Sequence, residues 1–84
     1  MGTRMDKRLG IIGIFIQDRG KSAPEVNKII GANSDIVVGR IGIPFREKGV
    51  NVIGLIIEAS TDELGALTGK LGMLSDVRVK SLLA

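Results

Sequence analysis

The sequence predicts an α+β fold in which a four-stranded antiparallel sheet carries two helices on one face. Three observations predict it. Four apolar, β-rich segments and two capped helical segments follow one another as strand, helix, strand, strand, helix, strand. The first and third strands are apolar on both alternating faces, as interior strands are, whereas the second and fourth carry arginine and lysine, as edges do. With 84 residues the chain makes one small domain, so sheet and helices must share a single thin core.

The elements follow in order. Met1–Asp6 reads as a flexible polar tail and residues 7–84 as the domain. Leu9 to Gln17 is a strand with Leu9, Ile11 and Phe15 on one face and Ile12, Ile14 and Ile16 on the other. Ser22-Ala-Pro-Glu25 has capping-box spacing with proline in the first turn, and Val26, Ile29 and Ile30 continue it at helical intervals. This predicts a helix over Ala23 to Ile30, stopped by Gly31. Asp35 to Ile43 is a strand carrying Arg40, Pro44 to Gly49 a loop, and Asn51 to Ala59 a second apolar strand.

Ser60 and Glu63 form another capping box, so the second helix starts near Thr61. Leu64, Leu67, Leu71 and Leu74 share one stripe of it, while Gly65, Gly69 and Gly72 line a different face. Each helical glycine costs roughly 0.5–1 kcal/mol against alanine, so the stripe has either a close neighbour or a plain terminating role at Gly72. Val77 to Ser81 alternates Val77 and Val79 inward with Arg78 and Lys80 outward, as an edge strand does. The order is the ferredoxin-like βαββαβ sandwich, and right-handed crossovers place the first and third strands at its centre. Both helices then cover one sheet face. The other, read here as bearing the isoleucines Ile12, Ile14 and Ile16, has no cover within one chain, and a partner chain is its simplest cover.

Composition narrows the function classes. The chain is 44% hydrophobic with a mean hydropathy of +0.29, more apolar than a lone small monomer needs, so a homo-oligomer is expected, dimer or tetramer, through sheet face or edges. It has no cysteine and no histidine, which removes disulfides, thiolate nucleophiles, cysteine-ligated clusters and imidazole bases. No metal site and no cofactor are predicted. Nothing resembles a signal peptide or a membrane span, so the expected location is the cytoplasm, with no membrane partner. A net charge of +3 spread along the chain does not argue for nucleic acid. Phe15 and Phe45 are the sole aromatics, too few for the stacking platform that this kind of sheet uses on RNA, so direct nucleic-acid binding is not expected.

Two stretches carry a resemblance. Arg40-Ile-Gly-Ile-Pro-Phe-Arg-Glu47 has the form R-x-G-x-P-x-R-E, and Gly65-Ala-Leu-Thr-Gly-Lys-Leu-Gly72 is followed by Val77-Arg-Val-Lys80. On these residues the chain resembles the small ACT-like proteins that bear the name iron-only hydrogenase system regulators, over nearly its whole length. The resemblance implies a ligand- or partner-binding regulator without catalysis. ACT domains tend to have an Asp-Arg-Pro-Gly turn after the first strand, where an amino-acid effector binds between protomers. Here the turn is Asp18-Arg19-Gly20-Lys21, without the proline.

Two candidate sites follow. In ACT-type pairing the turn Asp18, Arg19, Gly20 and Lys21 would meet the Gly69, Lys70 and Gly72 segment across chains, and backbone N–H groups with Arg19 or Lys70 would hold a small anionic effector. Against this, such a turn is ordinarily a solvated connection. Arg40, Arg46 and Glu47 are read with Ile12, Ile14 and Ile16 as interface residues that pair with a neighbouring subunit. An acylphosphatase-like enzyme would need a phosphate-cradling loop and a water-placing asparagine, and the sequence around Arg19 lacks that signature. The expectation is a small regulatory domain that binds an effector or a protein partner, with a purely structural oligomerisation module as the alternative.

Overall fold

The computed structural model describes residues 7–17 and 21–84. Its elements are β1 (Arg8–Gln17), α1 (Ala23–Ala32), β2 (Val37–Phe45), β3 (Val50–Ala59), α2 (Thr61–Gly72) and β4 (Val77–Leu83), with 3-10 turns at Ser34–Ile36 and Arg46–Lys48. The sheet is antiparallel with order β2-β3-β1-β4, so β1 and β3 are central as their two-sided apolar character predicts. This is the ferredoxin-like arrangement expected from the element order.

The register assigns every strand residue to a face. Ile12, Ile14 and Ile16 stand opposite Leu55, Ile53 and Asn51 on β3 and opposite Ser81, Val79 and Val77 on β4. That set faces the helices. Ile12, Ile14, Leu55 and Ile57 are completely buried, and Val26 and Ile30 of α1 with Leu67 and Leu71 of α2 close the core above them. The placing of Ile12, Ile14 and Ile16 on an exposed interface is therefore corrected: they are the floor of the helix-covered core. The open face belongs to the alternate set, Leu9, Ile11 and Phe15 on β1, with Ile41, Ile43 and Phe45 on β2, Ile56 on β3 and Leu82 on β4.

The second helix starts as expected, and the first departs from expectation at both ends. At α2 the capping box forms, with Glu63 N–H donating to Ser60 Oγ at 3.1 Å and Ser60 N–H donating to Glu63 Oε1 at 2.9 Å. At α1 it does not. Ser22 makes no side-chain cap; its hydroxyl and its N–H both donate to the Asp76 carboxylate in the α2–β4 connection. Asp76 takes the place of the Glu25 carboxylate as acceptor for Ser22 N–H and accepts from the hydroxyl as well, and it ties the start of α1 to the start of β4. Gly31 does not stop α1 either, because its φ is negative and the helix runs on to Ala32 before Asn33 caps it.

β2 also extends beyond Ile43 through Pro44 to Phe45, which pair with Asn51 and Val50. An edge strand tolerates a proline because one side of its ladder has no partner to lose. The true turn is shorter than the expected loop. It is a 3-10 turn at Arg46–Lys48, closed by Gly49 N–H donating to Arg46 O at 3.0 Å. Gly49 has φ 64°, a left-handed conformation that costs a side chain more than glycine.

Candidate functional site

Three surface features could carry function: the open sheet face, a basic groove at one end of it, and a shallow groove beside α2. The open face is the most extensive. Among the described residues, all the exposed large hydrophobic side chains except Val38 and Met73 lie on it, with Ile41 61%, Leu9 58%, Leu82 57% and Ile43 52% exposed. Two glycines flatten its centre. Gly13 and Gly54 stand opposite each other on β1 and β3, and the Phe15 ring and the Ile41 methyl lie 3.3 and 3.4 Å from where their Cβ atoms would be. Side chains thus lie across the sheet instead of standing up from it, which suits another flat layer.

The basic groove lies where β1 ends, between the β2–β3 turn and the start of β4. It has a volume of about 760 Å³ and is lined by Phe15, Gln17, Arg46, Lys48, Val50, Ser75, Asp76 and Arg78, among others. Phe15 and Arg78 are direct cross-strand partners, so the ring and the guanidinium share the open face at the groove's edge. Asp76 is held below the usual carboxylate range, first by the Ser22 hydroxyl and further by the Ser22 backbone N–H. Its charge is therefore kept at neutral pH, turned toward α1.

The shallow groove, about 500 Å³, runs between α2 and β4 and is lined by Gly65, Thr68, Gly69 and Gly72 against Val77 to Ser81. A Cβ at Gly65, Gly69 or Gly72 would meet nothing within 4 Å. Among the described residues, no backbone is pressed against the glycine stripe. Thr68 Oγ1 donates back to Leu64 O at 2.9 Å and leaves the groove without that hydroxyl proton.

The structure sorts the candidate residues differently from the sequence. Asp18, Arg19 and Gly20 lie outside the described residues. Lys21 is exposed next to Ser22, whereas Gly69 and Gly72 line the α2–β4 groove and Lys70 is not among its lining residues. The structure also separates Arg40 from Arg46. Arg40 is on the helix-facing side of β2, where its guanidinium donates to Asn27 Oδ1 at 3.0 Å, while Arg46 lines the basic groove; Glu47 is not among the groove's lining residues. Lys48 and Arg78, which sequence reasoning passed over as sites, join Arg46 in the groove. The signal was their charge around the β2–β3 turn and β4, but nothing in sequence spacing says these two segments meet.

Among the described residues no helix is long and apolar enough to cross a membrane. Comparison with known proteins agrees with the fold. A family model named TM1266-like, described as "Iron-only hydrogenase system regulator, putative", matches residues 8–81. The chain belongs to this family. It is similar to the solved structure of an uncharacterized protein, TM1266, from Thermotoga maritima, with 39% identity and a TM-score of 0.87 over 92% of this chain and 96% of that one. The ACT domain of a GTP pyrophosphokinase from Chlorobium tepidum is similar at 22% identity and a TM-score of 0.75, over 90% of this chain and 99% of that chain. A formyltetrahydrofolate deformylase from Pseudomonas putida shares the fold over 29% of its length, with a TM-score of 0.60 and 10% identity. No curated protein sequence matches the chain significantly. The last two likenesses speak for the ACT-like fold alone.

Proposed function

We propose that this family member is a non-catalytic regulatory domain of an iron-only hydrogenase system, working as a homo-oligomer that binds a small effector or a protein partner. The observation that carries the oligomer is the open sheet face. Isolated exposed hydrophobics are ordinary, but a sheet face with this many, interrupted by Glu58 on β3 and by Arg78 and Lys80 on the edge strand β4, is not. A face four strands wide and about eight residues long spans roughly 19 by 26 Å. Its projected area of roughly 500 Å² approaches the ~800 Å² of accessible surface that each partner buries in a stable complex. Its flatness and aliphatic character favour a second copy, sheet against sheet.

The effector half of the reading has support from the family's name and from the two grooves. A copy packed beside α2, distinct from one on the open face, would close the α2–β4 groove over Gly69 and Gly72 and make the interface pocket of ACT-type pairing.

Native mass spectrometry with light scattering tests the reading. Wild-type protein should run as a dimer or tetramer, and Ile41→Glu should run as a monomer with an unchanged far-UV circular dichroism spectrum. A wild-type monomer at micromolar concentration would overturn the oligomer. Added mass on the purified oligomer would identify its effector, and a bare oligomer that captures no small molecule favours the structural module.

A further inference from the structure

We propose that the basic groove at the end of the sheet binds an organic phosphate, specifically a phosphomonoester of mononucleotide size. The inference rests on the regulatory reading above and deepens it by naming the chemical class of the effector. Charge is the first argument. Among the described residues, Arg46, Lys48 and Arg78 line the groove against Asp76, three cations to one carboxylate, a lining charge of +2. That matches a phosphomonoester, which carries close to two negative charges at neutral pH.

The cations are also unspent. Among the described residues the one ion pair is Lys7 with Glu63, and the guanidiniums of Arg8 and Arg40 are engaged by Ala84 O and Asn27 Oδ1. The side chains of Arg46, Lys48 and Arg78 make neither an ion pair nor a hydrogen bond among the described residues. The groove's carboxylate forms no ion pair with any of them, since both Asp76 oxygens accept from Ser22, and its single charge leaves two of the three cations unbalanced. Like charges gathered without partners repel one another, and an anion placed between them relieves that repulsion. Arginine in particular offers a planar fork suited to phosphate oxygens.

Shape decides what kind of anion. A volume of about 760 Å³ lies within the ~300–1,000 Å³ of small-molecule sites and far exceeds what inorganic phosphate fills. Phe15 and Val50 supply apolar lining, with Phe15 the cross-strand partner of Arg78, and an aromatic ring beside a guanidinium is a surface that suits a planar base. The rim is built, not loose: Gly49 closes the Arg46–Lys48 turn, and Gln17 N–H donating to Asp76 O at 3.0 Å joins β1 to the start of β4.

Isothermal titration of the full chain with AMP at low salt is the test, with inorganic phosphate and a single-stranded RNA dodecamer as comparison probes. AMP should bind once per chain and inorganic phosphate about tenfold more weakly, since the ring contact is lost. Arg46→Gln and Arg78→Gln should each weaken AMP about tenfold, while Arg40→Gln leaves it unchanged. Overlaying thermal melts would show that the variants fold. Absence of AMP binding at roughly millimolar concentration, or equal binding by wild type and both groove variants, overturns the site. Inorganic phosphate as tight as AMP overturns the organic body, and RNA far tighter than AMP overturns the small ligand. AMP binding by a wild-type monomer would sink the assembly reading and leave the groove standing; an oligomer indifferent to AMP would do the reverse.

Discussion

The two faces of the sheet are built from the same strands and nearly the same residues, yet one is a core and the other a surface. On β1, Ile12 and Ile14 are wholly buried while their neighbour Ile11 is 48% exposed. On β3, Leu55 is buried and Ile56 is 45% exposed. The difference teaches that hydrophobicity says a strand is central without saying which of its faces the chain itself will cover. Two helices can shield one face of a four-stranded sheet, and the apolar surplus on the other must find its own cover.

The largest expected effect breaks that comparison at adjacent residues. Leu55→Ala should cost about 2–5 kcal/mol of protomer stability, because it empties a site packed on all sides. Ile56→Ala should cost under about 1 kcal/mol in dilute protein, since its side chain already meets solvent. Urea unfolding of both variants measures the contrast; equal losses in dilute protomers would refute the facial assignment.

A smaller contrast comes from glycines in the same strands. At Gly10, buried and paired with Leu83 of β4, an added Cβ would stand 2.5 Å from Leu82 O and 2.6 Å from Leu83 Cδ2. Gly10→Ala must push a backbone aside and should lose about 1–3 kcal/mol. On the open face, Gly54→Ala meets only the Ile41 methyl, at 3.4 Å, and should be nearly neutral for folding. Thermal melts of the two variants would rank them.

How much of this was legible in the sequence depends on whether information was local. The strands, the helices, their apolar stripes and the central position of β1 and β3 were, because hydrophobic period and composition act within a segment. The covered face of β1 was not. Alternation gives two faces without labels, and the label comes from register with β4, where Val77 and Val79 stand opposite Ile16 and Ile14. β4 is amphipathic, so its valines mark the core side once pairing is known. The same limit hid the groove, whose arginines and lysine arrive from the β2–β3 turn and from β4. It also hid Asp76, which takes Ser22 from the local cap that its sequence spelling promised.

The caps sharpen the comparison from the helix side. Ser60→Ala removes a formed capping box and should cost about 1 kcal/mol, within the 0.5–2 kcal/mol typical of such caps. Ser22→Ala removes no helix cap and instead loosens the tie between α1 and the α2–β4 connection. If Ser22 acts only there, Ser22→Ala and Asp76→Asn should be non-additive in a double-mutant cycle, whereas Ser60→Ala with Asp76→Asn should simply add.

The smallest effect is a dependence on acid, and it belongs to the helix side. Each helix begins beside a carboxylate held below its ordinary range: Glu63 chiefly by the Ser60 backbone N–H with help from Lys7, Asp76 chiefly by the Ser22 hydroxyl. A depressed folded-state value means the folded protein holds its protons less readily than the unfolded chain. The stabilisation is therefore complete above the unfolded-state values near pH 4 and is lost as pH falls through the lower folded-state ones. Melting temperature should decline over about pH 5 to 2, and the decline should flatten in Glu63→Gln and again in the double variant with Asp76→Asn. Both groups are solvent-exposed, so the slope contributed by each is shallow. Neither carboxylate lies among the apolar side chains of the open face. Assembly through that face should accordingly outlast the first loosening of the helix layer, and a subunit mass that collapses together with that loosening, at a pH that Glu63→Gln shifts, would point to an interface on the helix side instead.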